Sequence, residues 1–232
     1  MTVTTETVVQ TYLDEPSQPQ WVLPPNACDS HVHVFGPRAH FPYAALRKST
    51  PAEAPKEKLF ALHKKLGIAR CVIVQSVIHG NDNAVVEDAI EAGEGRYLGV
   101  ALTDVDVSSQ ELKRLASRGF RAIRFHFMKH ISGGYDVTDV VKLTSKLADA
   151  GLHLQVHFES ELMHTLGQQL LKSAVPVVID HMGMFDVKNG IQDKGFQALL
   201  RLLGDGKVWL KLCAYRNLGN AINAEGFELA KP

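Results

Sequence analysis

Cysteine is scarce in this chain. Only Cys28, Cys71 and Cys213 occur in 232 residues, too few and too irregularly spaced for a disulfide framework or a zinc ribbon. All three fall within candidate strands and are expected to be free, buried thiols in a reducing compartment. An excess of either charge is also lacking, because Lys+Arg and Asp+Glu total 25 each. That excludes a globally basic nucleic-acid binder, and no polybasic run is present to meet a membrane surface. No apolar run approaches the roughly 20 residues of a membrane span. The opening stretch MTVTTETVVQTYLDEPSQPQ has no basic segment followed by an apolar one. A cytoplasmic protein is expected, monomer or homodimer, with a small-molecule partner and neither nucleic acid nor membrane. No G-x-G-x-x-G turn follows the first strand candidate, which disfavours dinucleotide binding. No G-x-S-x-G elbow occurs, which disfavours a serine nucleophile.

What is there is a repeated alternation. Residues 1–25 are polar and proline-containing and read as an arm; residues 26–232 read as one domain. Strand candidates are Ala27–Phe35, Ala69–Ser76, Tyr97–Thr103, Arg121–Phe127, His153–Phe158, Val175–Met182 and Val208–Cys213. Helical periodicity lies between them, in Lys56–Leu66, Asp82–Ala92, Ser108–Arg118, Thr138–Ala150, Ser160–Ser173 and Asp193–Leu203. Ser108 and Glu111 have capping-box spacing, and Ser160 is positioned to cap its own helix. Gly119, Gly151 and Gly204 stop three of the helices. Strands alternating with helices build βαβ units and a parallel sheet. Seven such strands predict an α/β (β/α)8 TIM-type barrel with its eighth strand missing from this sequence, against a doubly wound open sheet as the competing architecture.

Chemistry-bearing residues gather at the ends of these strands, where barrel active sites are built. Alternation puts His31 and His33 on one side of the first strand. Two imidazoles there polarise a carbonyl or hold a metal, or are ordinary strand histidines. His181 ends the run PVVID at a later strand. In RAIRFHFMK, Arg124 and His126 share a face opposite Phe125 and Phe127. The phenylalanines should face the helices and the polar pair the barrel interior, where Arg124 meets either a substrate carboxylate or an internal acid. His153, Gln155, His157 and Glu159 share the polar face of the fifth strand. Ser76, His79 and Arg216 stand at or after strand ends. His40, His63 and His164 do not, and read as structural or exposed.

Taken in order, CDSHVHVFGP, VIVQSVIHGNDN, RAIRFHFMKH, VHFE, PVVIDHMG and VWLKLCAYR resemble the metal-independent 2-pyrone-4,6-dicarboxylate lactonases of the amidohydrolase superfamily, from about residue 20 to residue 216. The resemblance implies hydrolysis of a carboxylated, anionic lactone in aromatic catabolism. It implies that His31, His33 and His181 polarise the lactone carbonyl and stabilise the oxyanion. Arg124 and Arg216 would bind the substrate carboxylates, Ser76 would add a hydrogen bond, and an Asp on the eighth strand would activate water; His126, His130 and His157 complete the expected substrate-binding set. Three departures stand out. The eighth-strand Asp-Trp-Pro-His run is absent, so the base is unassigned. His130 stands where the family often has a second arginine. His157 stands where it typically has a tyrosine. The resemblance implies no cofactor. Its alternative is one zinc held by His31, His33, His157 and His181, as in a zinc-dependent sulfomuconolactone hydrolase or a decarboxylase of the same superfamily. A non-catalytic small-acid-binding remnant is the further alternative.

Overall fold

The computed structural model describes residues 7–128, 131–132, 134–213 and 217. In chain order its elements are β1 (Val8–Val9), β2 (Cys28–Val32), β3 (Thr50–Pro51), α1 (Lys56–Leu66), β4 (Arg70–Val74), α2 (Ala84–Ala92), β5 (Tyr97–Leu102), α3 (Ser109–Ser117) and β6 (Phe120–Met128). They continue with β7 (Ile131–Ser132), α4 (Val137–Asp149), β8 (His153–Phe158), α5 (Met163–Leu170), β9 (Val177–Ile179), α6 (Lys194–Leu203) and β10 (Val208–Leu210). The chain divides into two compact units: Met1–Leu102 with Arg114–Arg121, and Thr103–Lys113 with Ala122–Pro232.

In the first unit β2 pairs with β4 and β4 with β5, all parallel. The register slips between Asp29 and Val32 of β2. Helix α1 ends at Gly67, whose φ of 74° lets its N–H reach the carbonyls of His63 and Lys64. Helix α2 turns Val85, Val86, Ala89 and Ile90 inward, and they pack on β4 and β5. Ile73, Val74 and Phe120 are fully buried here, each side chain contributing about 1.5–3 kcal/mol of burial. Within the N-terminal stretch read as an arm, β1 lies parallel to β3, Val8 against Thr50 and Val9 against Pro51.

In the second unit β6, β8, β9 and β10 pair successively in parallel, and β7 runs antiparallel to β6. Asp136 caps α4 by accepting the Thr138 N–H, and Asp193 caps α6 by accepting the Phe196 N–H. Helix α4 covers β8, α5 packs between α4 and α6, and α6 covers β10. Phe125, Leu147, Leu154, Val156, Phe158 and Ile179 make a core with no exposure.

Three expectations are corrected. Ser160 does not cap a helix: Glu159 takes that place with no capping bond from its side chain, and Ser160–Leu162 is a single 3-10 turn ahead of α5. Ser160 already has helical geometry there and is not the extended residue that a cap requires. The strand expected over Val175–Met182 is only Val177–Ile179, because the backbone turns left-handed at His181. Of the free cysteines only Cys71 is buried. Cys28 is exposed at the opening of β2, and Cys213 is half-buried past the end of β10. By contrast Ser108 Oγ accepts the Glu111 N–H at 3.1 Å, as a cap does.

Candidate active site

In the first unit, alternation along β2 and its continuation produces a row of rings. The His31 and His33 centroids are 5.2 Å apart, edge to face. His33 meets Phe35 at 6.1 Å, Phe35 stacks on His79 at 6.4 Å, and His79 meets Tyr43 at 5.0 Å. His33 Nδ1 lies 2.7 Å from the Val74 carbonyl. A carbonyl only accepts, so Nδ1 carries a proton.

Asp29 anchors the base of this row. Its Oδ1 accepts the His31 N–H at 3.0 Å, and its Oδ2 lies 3.4 Å from Nε2 of the buried His63, whose Nδ1 is 3.0 Å from Tyr97 Oη. Burial pushes the Asp29 carboxyl up, but the bonds from His63 and the His31 N–H outweigh it and leave the group below its ordinary value.

Ser76 is buried, and its Oγ accepts the Ile78 N–H at 3.3 Å. His79 is 4% exposed and bonds the Pro42 carbonyl through Nδ1 at 3.1 Å. Burial pushes its imidazole below the usual histidine range, so the ring is neutral near pH 7. Its Nε2 has no hydrogen-bond partner among the described residues.

In the second unit the parallel register sets Arg124 against Gln155 and His126 against His157. Phe125 and Phe127 point the other way, edge-on to Tyr135 at 5.0 and 5.6 Å. The Tyr135 hydroxyl accepts the His126 N–H at 2.7 Å and lies 3.1 Å from the His126 carbonyl. His126 Nδ1 and His157 Nδ1 are 3.3 Å apart, and the His157 ring meets His181 at 5.0 Å. Three of the expected residues, His126, His157 and His181, therefore form one contiguous row.

Asp180 lies beneath that row with no exposure. Arg124 Nε donates to its Oδ2 at 2.7 Å and Gln155 Nε2 to the same oxygen at 3.0 Å. Lys211 Nζ lies 3.7 Å from Oδ1 and donates to Gln155 Oε1 at 2.9 Å. Arg124 is thus paired with an internal acid through Nε. Immediately afterwards His181, Met182, Gly183 and Met184 all have positive φ, between 51° and 62°. Each non-glycine residue in that region costs roughly 1–2 kcal/mol, and such strain concentrates where a side chain must be aimed.

His130 and Arg216 lie outside the described residues. The sequence reading missed Lys211 as a partner of Asp180, and missed Tyr135 and Asn217 altogether. A lysine interrupting the apolar run VWLKLC was the available signal for the first; the other two carried none.

A family model described as Amidohydrolase matches residues 28–228. The chain belongs to the amidohydrolase family. It is similar to 2-pyrone-4,6-dicarboxylate hydrolase of Comamonas testosteroni, at 36% identity over 215 residues, 90% of this chain and 70% of that protein. It is similar to 4-sulfomuconolactone hydrolase of Hydrogenophaga intermedia, at 35% identity over 194 residues, 83% of this chain and 64% of that protein. The chain therefore spans about two thirds of the length of these relatives, which are lactone hydrolases. Among solved structures, a Pseudomonas putida protein described as a 2-pyrone-4,6-dicarboxylic acid hydrolase matches with a TM-score of 0.77 at 29% identity, over 89% of this chain and 75% of that one. An amidohydrolase from Burkholderia multivorans with bound zinc shares the fold, with a TM-score of 0.66 at 17% identity over 87% of this chain and 75% of that one. The fold is thus that of the amidohydrolase TIM-type barrel, with seven parallel strands among the described residues. No described helix is long and apolar enough to cross a membrane.

Proposed function

We propose that this protein opens a carboxylated, anionic lactone by water attack in the breakdown of aromatic compounds, with 2-pyrone-4,6-dicarboxylate or a close analogue as substrate. The 36% identity to a hydrolase of that lactone over 90% of the chain carries the reading. In it His31, His33 and His181 polarise the ring carbonyl and stabilise the oxyanion that forms as water adds. Ser76, Arg124, His126, His130, His157 and Arg216 hold the carboxylates and orient the ring. The Asp180 oxygens are engaged by Arg124, Gln155 and Lys211, so Asp180 is a poor candidate for the base. The reading takes the water-activating carboxylate from the part of the relatives' length that this chain does not span. The protein acts as a cytoplasmic monomer or homodimer without nucleic-acid or membrane partners.

The reaction is read as metal-free, because the likeness along the chain is to the metal-independent lactonases. A second reading has one observation in its favour. His33 donates Nδ1–H to a backbone carbonyl, an orientation common to metal-binding histidines. The imidazoles of His31, His33, His157 and His181 suit zinc chemically, and the ion when bound would supply Lewis-acid polarisation of the carbonyl.

The test is turnover of 2-pyrone-4,6-dicarboxylate, followed as loss of pyrone absorbance with the metal content of the same preparation. Ring opening that survives chelation, and that falls roughly 100-fold or more in His181→Ala, is expected. Stoichiometric zinc with activity lost on chelation selects the zinc reading, and release of CO2 selects a decarboxylase. Thermal stabilisation by carboxylated lactones without any turnover overturns the enzyme reading in favour of a small-acid binder.

A further inference from the structure

We infer that Asn217 is a positioning residue that aims His181 by clamping the left-handed turn from which that histidine projects. The inference rests on His181 belonging to the reacting centre. Four successive residues with positive φ, three of them not glycine, form a conformation that an L-peptide leaves unless its surroundings hold it. Several bonds hold it here. Met182 N–H donates to the Lys211 carbonyl at 3.0 Å, and Gly183 N–H donates to the Asp180 carbonyl at 3.0 Å. The Asp180 carboxylate ahead of the turn is fixed by Arg124, Gln155 and Lys211.

The two ends of the turn are joined by one side chain. Asn217 Nδ2 donates to the carbonyl of His181 at 3.4 Å and to that of Phe185 at 2.5 Å. Asn217 is 1% exposed, and its Oδ1 accepts nothing among the described residues. The described contacts of the Asn217 side chain are thus the two made by its N–H donors. Those donors grip the carbonyl of His181 itself. Rotation of that peptide swings the Cα–Cβ bond and the imidazole with it. The opposite side of the turn is closely fitted, since a Cβ on Gly183 would come within 2.8 Å of Met163 Cε. Asn217 also directly follows Arg216 in the sequence, so the clamp and an expected substrate ligand occupy one short stretch of chain.

The test compares wild type, Asn217→Asp and Asn217→Ala. Aspartate keeps the shape and removes the donors; alanine removes both. Three quantities are read: kcat and KM for 2-pyrone-4,6-dicarboxylate, the His181 ring signal in carbon–proton NMR (assigned by its loss in His181→Ala), and the thermal midpoint. Both variants should lose roughly tenfold or more in kcat with KM changed less than about twofold, as a small misplacement of a catalytic group does. The His181 signal should shift while the His63 signal does not. A stationary His181 signal overturns the inference, whether or not kcat falls. If wild type turns over no lactone, the proposed function fails, and the His181 signal alone still decides the role of Asn217. If Asn217→Asp does not fold, Asn217→Ala gives the same reading.

Discussion

Arg124 and Asp180 illustrate how much a single buried contact determines. The carboxylate has no exposure and the guanidinium 4%, so removal of one partner leaves a charge in the interior. Arg124→Ala should lower the unfolding free energy by about 3–5 kcal/mol, measured by urea denaturation. Adding Asp180→Asn to that variant should cost less than the two single changes together, because the stranded charge is then gone. Isothermal titration with a carboxylated lactone should also weaken by about 1.5–3 kcal/mol in Arg124→Ala, the worth of a charge-assisted hydrogen bond. Asp29 gives a prediction in pH. The folded protein holds its carboxyl below the ordinary 3.8, so folding favours the ionised form. That contribution is complete above about pH 4 and fades as the pH falls through the lowered value. Thermal midpoints of wild type and Asp29→Asn should therefore differ near pH 6 and converge towards pH 2.

At the scale of elements, Tyr135 supports β6 from outside its ladder. Its hydroxyl serves both backbone groups of His126. Tyr135→Phe should destabilise by about 1–3 kcal/mol, the cost of a buried donor left unsatisfied, and should speed hydrogen exchange at the His126 amide. Elements with a strong local code were legible in the sequence. Helix α1 has the expected bounds, with apolar spacing up to Leu66 and a glycine in the left-handed region directly after it. Helix α3 begins where Ser108 and Glu111 said it should. The β9 strand was read too long because Met182 and Met184 give no sign of positive φ, and only Gly183 hints at a turn. The site divides the same way. The shared faces of His31 with His33, and of Arg124 with His126, follow from strand alternation. The Arg124–Asp180–Lys211 contacts join residues 56 and 31 positions apart, and no local pattern encodes such meetings.

At the scale of the whole molecule, the chain is two runs of parallel strands separated by helices, and every parallel pairing must wait for a crossover. Leu154 pairs with Val177, 23 positions on, and Cys28 pairs with Arg70, 42 positions on. Closing the longer of these loops costs only about 0.5 kcal/mol more than closing the shorter. Chain entropy therefore gives no parallel pairing a head start, and their order of formation during folding is left to the size of the contact each one gains. In the second unit β6 and β8 align six residue pairs, whereas β9 and β10 align three, and β6 carries the fully buried Phe120, Ile123 and Phe125. Pulse-labelled hydrogen exchange during refolding should find the amides of β6 and β8 protected first and those of β10 last. Asp180 and His181 follow β9, and Lys211 follows β10, so His181 and the contacts that fix the aspartate before it are assembled at the end of the folding reaction, on a scaffold already formed.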